Sequence, residues 1–365
     1  MAFGYATGAQ HRLSYKAETS WATTASSGSG ATGFKIARIT GSSLNLKKGS
    51  IVSKEIRTDR QTADFRHGIK TVQGDISFEL SYGNFDDFLA AALCAASPAW
   101  VGNANQIWPG TCTSVNGVGT ITQFIQNGTT KQSFTMERAF LDTTNSSGVV
   151  TPTYGLFTGC VLNTMSLSMR PGQIVTGSFG FMGKVANFST TSNIGTPNAA
   201  NYANSPYDVF SGTVMEGGTV SVVTTAATVS GADAGIASAA TQPILTGLDI
   251  SMSNGTQLQQ TLGSNMAQGV TLGQIQISGT MTAYFADMTM LNKFINETTF
   301  AITWTLAPIG GSTATGTQIW TLMNCKAGDA PLPVQNDGPI SISIPFTAYA
   351  DPISGKTIQV AKTAA

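Results

Sequence analysis

The chain has 365 residues and carries 19 basic against 19 acidic side chains, for zero net charge; only 10% of its residues are charged, against roughly 25% in an ordinary globular domain. That balance excludes the basic face of a dedicated nucleic-acid reader and an acidic tail, and 41% hydrophobic residues exclude disorder over most of the length. Forty glycines amid many Ser, Thr, Ala and Asn residues favour strands and turns, and so uncharged a surface suits either a protein packed against copies of itself or a neutral secreted β-protein.

Residues 1–33 read as irregular, ending in ASSGSGATG, and a β-like pattern starts at Phe34 with FKIARITGSSLNLKK. Segment 47–70 stands apart. It holds Lys47, Lys48, Lys54, Arg57, Arg60, Arg66 and Lys70 together with Glu55, Asp59 and Asp64. In VQGDISFELSY, Val72, Ile76, Phe78 and Leu80 alternate with polar partners, which predicts a half-buried strand. Asn84 is placed to cap a short helix, FDDFLAAAL, with Asp86 and Asp87 in its first turn. Phe85, Phe88, Leu89, Ala92 and Leu93 form its apolar stripe. Residues 97–120 read as a surface insertion. ITQFIQ, the Asn127-Gly128 turn and KQSFTMERAFL read as a hairpin. VLNTMSLSM places Val161, Met165, Leu167 and Met169 on one face, and a turn at Arg170-Pro171-Gly172 leads into QIVTGSFGFMG. The turn-rich, nearly uncharged stretch that follows reads as a linker, and 205–243 keeps only patches of strand character. The expected division is 1–186, a linker at 187–204, and 205–365.

The second half repeats the order of the first. LTGLDISMSNG (245–255) parallels ITGSSLNLKKG (39–49), and Val72-x-Gly74-x-Ile76-x-Phe78 parallels Ile277-x-Gly279-x-Met281-x-Ala283. Each strand runs into a short helix, at Asn84 and at Asp287. SFTMERAF then parallels AITWTLAP. GCVLNTMSLSMRPGQIVTGSFGFMG parallels MNCKAGDAPLPVQNDGPISISIPFTAY, which lays Cys160 over Cys325 and Gly172 near Gly338. The expected fold is mainly β, a tandem duplication of one β-sandwich or barrel domain with one short flanking helix per copy. Two copies are too few for a solenoid.

The run EIRTDRQTADFRHGIK with the strand and helix that follow (55–93) resembles the signature of tail tube proteins of long-tailed, non-contractile bacteriophages. SMRPGQIVTGSFGFMGK (168–184), SPYDVFSGTVMEGG (205–218), SGTMTAYFADMTMLNKFINE (278–297) and NDGPISISIPFTAYAD (336–351) are similar to other parts of that family, in collinear order. The departures lie in 94–130, in the Ser/Thr/Ala stretch 219–243 and in the uncharged loop 254–272. The resemblance implies a β-sandwich flanked by a helix, whose inner sheets join between subunits into a barrel around a channel, with rings stacked into a tube. Six domains per ring, at two per chain, gives a trimeric pseudo-sixfold ring; six chains is the alternative. The implied partners are further copies of the chain, the tape measure protein, tail tip and terminator proteins, and double-stranded DNA passing through the lumen without sequence-specific binding. The implied location is the virion. Within the charged loop, Lys54, Glu55, Arg57, Asp59, Arg60, Asp64 and Arg66 are the candidate contacts to the next ring, since complementary charges fix register and encounter. Tight phosphate pairing would stall moving DNA, so a neutral or mildly negative lumen is expected. The tube of a contractile tail or related secretion apparatus, or a secreted adhesin, are the rivals.

Chemistry-bearing constellations are scarce. Cys94, Cys112, Cys160 and Cys325 form no CxxC pair, and two histidines, His11 and His67, make no His-rich metal site. No cofactor, metal or catalytic residue is expected. The start of the chain lacks the basic-then-apolar pattern of a secretory signal, and no run approaches the ~18 apolar residues of a membrane helix. Gly28-Ser-Gly30-Ala-Thr-Gly33 matches GxGxxG but precedes a β-like segment, where a dinucleotide site needs a helix. Ser354-Gly355-Lys356-Thr357 resembles the end of a phosphate loop without its first glycine.

Overall fold

A computed structural model describes residues 6–27, 33–95, 121–144, 147–194, 220–223, 245–285, 288–306, 318–331 and 338–363. The expected insertion at 97–120, Cys112, most of 205–243 and Asp287 lie outside the described residues. In chain order, β1 (His11–Ala17), β2 (Lys35–Ile36), β3 (Gly41–Ser42), β4 (Asn45–Val52) and β5 (Phe65–Glu79) precede helix α1 (Asp86–Ala92). Strands β6 (Ile121–Gln126), β7 (Ser133–Phe140), β8 (Thr153–Met169), β9 (Thr176–Gly183), β10 (Val185–Ser189) and β11 (Val220–Val223) follow. Then come β12 (Leu245–Ser253), β13 (Gln257–Gln259), β14 (Gly269–Thr271) and β15 (Gln276–Tyr284). Helix α2 (Thr289–Ile295), β16 (Phe300–Leu306), β17 (Gln318–Ala327), β18 (Ser341–Tyr349) and β19 (Ile358–Thr363) complete the order. The protein is mainly β, as expected.

Two groups of strands pair in the same order. The first runs β4–β5–β9–β8–β7 and the second β12–β15–β18–β17–β16, all antiparallel. Their registers agree as well. Leu46 faces Val72 where Met252 faces Ile277, and Gly74 faces Phe181 where Gly279 faces Phe346. Cys160 faces Phe134 and Cys325 faces Phe300, with a register shift directly after the phenylalanine in both groups. A Cβ on Gly74 would lie 2.5 Å from the Ser43 carbonyl, and one on Gly279 2.4 Å from the Asp249 carbonyl. The neighbouring strand therefore crosses too close for any side chain at either position. Pairing corrects one detail of the sequence alignment: Phe134 corresponds to Phe300, two residues upstream of the SFTMERAF/AITWTLAP match. A two-residue slip keeps every side chain on its own face, so alternation alone could not detect it.

Strand β8 connects the groups. Its second half pairs with β9 on one side and β12 on the other, Met165 opposite Met252 and Leu167 opposite Ile250. Eight strands thus form one continuous sheet from β4 to β17. Alternation gives it an apolar face, with Val72, Ile76, Phe179, Met165, Ile250, Met281 and Ile344 all buried. The first halves of β8 and β17 run on into a second layer, with β1, β7 and β10, and with β16 and β19. The core between the layers is continuous through both groups. Phe78 stacks on Phe179 at 4.3 Å and Trp304 on Trp320 at 5.6 Å between ring centroids.

Three expectations are corrected. Strand β6 does not form a hairpin with β7; it pairs with β19, Ile125 opposite Val360. The Asn127-Gly128 turn is held elsewhere: the Asn127 Oδ1 accepts from the Thr357 and Ile358 N–H groups, and the Gly128 N–H donates to the Leu93 carbonyl at the end of α1. Asn84 does not cap α1; its amide donates to Ser81, and Phe85 occupies the N-cap. Residues 187–189, expected in the linker, belong instead to β10, which pairs with β8, and Ile194 is buried with Phe34 and Leu156. Asp86 and Asp87 do more than favour the helix dipole. Asp86 pairs with Lys362 of β19, and Asp87 accepts from Lys35 at 2.5 Å and from the Tyr15 hydroxyl at 3.2 Å.

Candidate assembly surface

The charged segment is a projecting arm. Strand β4 runs out of the sheet and β5 runs back into it, forming a hairpin beyond it that is exposed along β4 from Lys47 to Val52 and along the start of β5. The tip is organised by Asp59. Arg57 reaches its carboxylate with two nitrogens, at 3.0 and 2.8 Å, and the Gln61 N–H donates to Asp59 Oδ1 at 3.2 Å. The guanidinium and then that N–H hold the Asp59 carboxyl below its ordinary value. The turn is closed by Arg60 in the left-handed region, φ 59°, a conformation uncommon outside glycine. Arg66 pairs with Asp64 at 2.6 Å.

Of the seven residues singled out in this loop, four are thus paired within it. Lys54, Glu55 and Arg60 make no side-chain bond among the described residues and present their charge outward. The sequence reading missed the apolar component. Ile51, Val52 and Phe65 are exposed along the arm, and Ile56 at its tip is 99% exposed.

The second group carries an arm of similar length, from Asn254 to Gln274, whose strands β13 and β14 form a separate ladder. Leu262, at the position corresponding to Ile56, is fully exposed. This arm is held at its base by the first group. Asn254 donates its side-chain amide to the Ala92 carbonyl at 2.9 Å and the Thr256 N–H donates to Asn163 Oδ1 at 2.8 Å. The Lys70 N–H donates to the Asn265 carbonyl at 2.8 Å and Lys131 to Val270 at 2.8 Å.

The sheet's other face is a field of hydroxyls. A concavity of about 720 Å³ crosses the β8–β12 junction, lined by Ser77, Ser166, Ser178, Ser251, Ser278 and Thr280 among others. Ser166 and Ser178 are hydrogen-bonded at 2.8 Å, and Ser168 donates to Asp249 at 2.7 Å. Arg170 pairs with Asp249 across the junction. Among the described residues, this face carries Asp75, Glu79 and Asp249 against Lys47 and Lys326, with Arg170 just past β8 and Asp329 just past β17, so its charges are few and of both signs.

The family model for phage tail tube proteins matches residues 8–348, nearly the whole chain. The chain belongs to the phage tail tube protein family. No curated protein matches the sequence. As a tail tube protein it is a structural component of the virion, built to assemble with copies of itself. Cys94, Cys160 and Cys325 are buried, and burial pushes the Cys94 thiol up to about 11. Gly33 is followed by strand β2, and Ser354–Thr357 lie in a turn before β19, with Asp351 accepting from the Ser354 N–H and Lys356 donating to the Asn127 carbonyl. Neither stretch meets a helix. His11 accepts from Arg138 and packs edge-on against Phe140, and His67 packs on Phe65. Among the described residues no cluster of His, Cys, Asp and Glu could hold a metal ion, and no helix is long and apolar enough to cross a membrane.

Proposed function

We propose that this tail tube protein is a tandem duplication whose two units each give four strands to a closed inner barrel. Three chains then make a pseudo-sixfold ring, and rings stack into the tube of a long, non-contractile tail that conducts DNA into the host. The observation that carries this reading is the eight-strand sheet with one apolar and one hydroxyl-lined face that bears few charges, of both signs. Facing a lumen, such a surface hydrates passing phosphates without holding any of them, whereas each Lys or Arg contact would add a salt-dependent attachment. The apolar face is satisfied by the second layer. The arm 47–70, with its outward charges and exposed Ile56, supplies the contact to the next ring, and exposed charge pairs of this kind set register more than affinity. The tape measure, tip and terminator proteins are the remaining partners in this reading.

Electron microscopy of the purified protein at rising concentration, with its tail-initiation partners co-expressed, tests it. Tubes with a central hole are expected, and their averaged symmetry separates three chains per ring from six. Persistent monomers under those conditions would overturn the tube. Reversing Arg57, Arg60 and Arg66 together is expected to leave the subunit folded and block stacking; unchanged tubes from that variant would remove the arm from the inter-ring contact.

A further inference from the structure

The β8–β12 junction joins the first unit to the second, and among the described residues the complementary halves of that junction are open at the two edges of the sheet. Strand β4 corresponds to β12 and, among the described residues, has no partner on the side where β12 pairs with β8. The stretch Lys326–Pro331 corresponds to residues 161–166 of β8, as fixed by Leu162 and Ala327 opposite Phe181 and Phe346. Ala330 is buried as Met165 is. We infer that the Asn45–Lys48 edge of one copy joins the Lys326–Pro331 edge of a second copy in the register of the internal junction, which places Lys47 opposite Asp329 and Lys48 beside Glu297. This rests on the tube reading and specifies its lateral contact.

Three observations support it. In the internal junction Ser253 faces Thr164; the corresponding pair across copies is Lys47 and Asp329, of opposite charge and both exposed. Next to it, Asn254 places its amide on the Ala92 and Leu162 carbonyls at the end of α1. The corresponding positions, Ile295 at the end of α2 and Ala327, line an open cavity of about 420 Å³ with Phe294, Glu297 and Lys326. The residue that corresponds to Asn254 is Lys48, whose ammonium would enter that cavity beside the Glu297 carboxylate. Finally, α1 is buried from Phe88 to Ala92, whereas Met288 at the N-cap of α2 and Ile295 at its end are exposed. Part of what covers α1 is the second unit itself, through Asn254 and Lys362, and among the described residues no such unit lies beside α2.

The two kinds of junction are also chemically distinct. The internal one carries Arg170–Asp249; at the positions of Ser43 and Asp249 the copy-to-copy edge has serine in place of the acid, while its lysines lie where the internal edge has Ser253 and Asn254. Strand β8 already holds β12 of its own chain on the side that a second copy's β4 would take, so the first unit of one copy meets the second unit of the next and the units alternate around the ring.

The test is a disulfide in assembled tubes. Cα partners in an antiparallel ladder lie about 4.5–5.5 Å apart, within disulfide reach, while a diagonal neighbour at about 7–8 Å is beyond it. The chain with Cys112→Ser, Lys47→Cys and Asp329→Cys is assembled, oxidised and run without reductant. Covalent dimers and a closed ring-sized species are expected, with several-fold less cross-linking from Lys47→Cys paired with Pro331→Cys. Independently, Lys47→Glu with Lys48→Glu is expected to abolish assembly, and adding Glu297→Lys and Asp329→Lys to restore it. Wild-type tubes in which the Lys47/Asp329 cysteines stay monomeric and the reversals have no effect overturn the junction alone. Absence of tubes from the wild-type chain overturns the tube reading and the junction together.

Discussion

Replacing Lys362 with methionine tests how the two units are held together. The Lys362 ammonium lies on Asp86 and 5.3 Å from the centroid of Tyr82, and its side chain is 4% exposed. Burial pulls the lysine down and pushes the Asp86 carboxyl up; each opposes the other's shift, and Asp87 adds to the hold on the lysine. Methionine fills nearly the same volume, so the loss is electrostatic. Removing one partner of a buried pair costs about 3–5 kcal/mol, because the other charge stays behind. The Asp86 side chain is 26% exposed, so water reaches it, and the expected cost falls to about 2–3 kcal/mol. In Lys362→Met with Asp86→Asn no charge is stranded, and the expected cost is only about 1 kcal/mol. The double variant should therefore be more stable than the single one. Urea unfolding of the unassembled subunit, followed by fluorescence of the stacked Trp304 and Trp320, reads both. Equal losses in the two variants would show that packing at Lys362, and not the ion pair, joins β19 to α1.

Gly279→Ala and Gly74→Ala should each cost on the order of 3 kcal/mol in the same unfolding measurement, because the new methyl meets the backbone of the adjacent strand. A loss below about 0.5 kcal/mol at either position would show that the strand crossing is looser than described. Glu137→Gln should change the pH dependence of stability. Burial is the main cause that raises the Glu137 carboxyl above 4.5, against the Asn193 N–H, the Ser192 hydroxyl and Arg12, which lower it. A raised carboxyl binds its proton more firmly when folded. Its contribution is therefore complete below the unfolded value and is lost as pH rises through the folded one. The glutamine variant, compared with the parent, should gain between pH 4 and 7; a difference constant across that range would refute the assignment.

The alternation at Val72–Leu80 was legible because one face of the strand is buried and the other is not. The matching order of the two strand groups was legible for the same reason, since Gly74 and Gly279 each meet a close strand crossing. What alternation does not carry is the partner. The pattern of ITQFIQ fixes a strand and a face but is silent about whether β7 or β19 lies beside it, and here the Asn127 side chain decides by binding the backbone at 357–358. The arm at 47–70 was legible as an exposed, charged segment. The Arg57–Asp59 and Arg66–Asp64 pairs were not, because they depend on the turn at Arg60, and Ile56 was hidden among the charges around it.

The pairing of β6 with β19 also bears on when the subunit becomes complete. Gln126 and Gln359, joined side chain to side chain, are 233 residues apart. During synthesis β6 must wait with an open edge until nearly the whole second unit has followed, and contacts this distant in sequence close slowly. An open edge is a template for the wrong neighbour. The delay thus exposes the newborn chain to mispairing, yet it also ties the finished shape of the first unit to the second. A chain interrupted between the units would lack both the partner of β6 and the lysine that neutralises Asp86, and so could not enter a growing assembly as a plausible half.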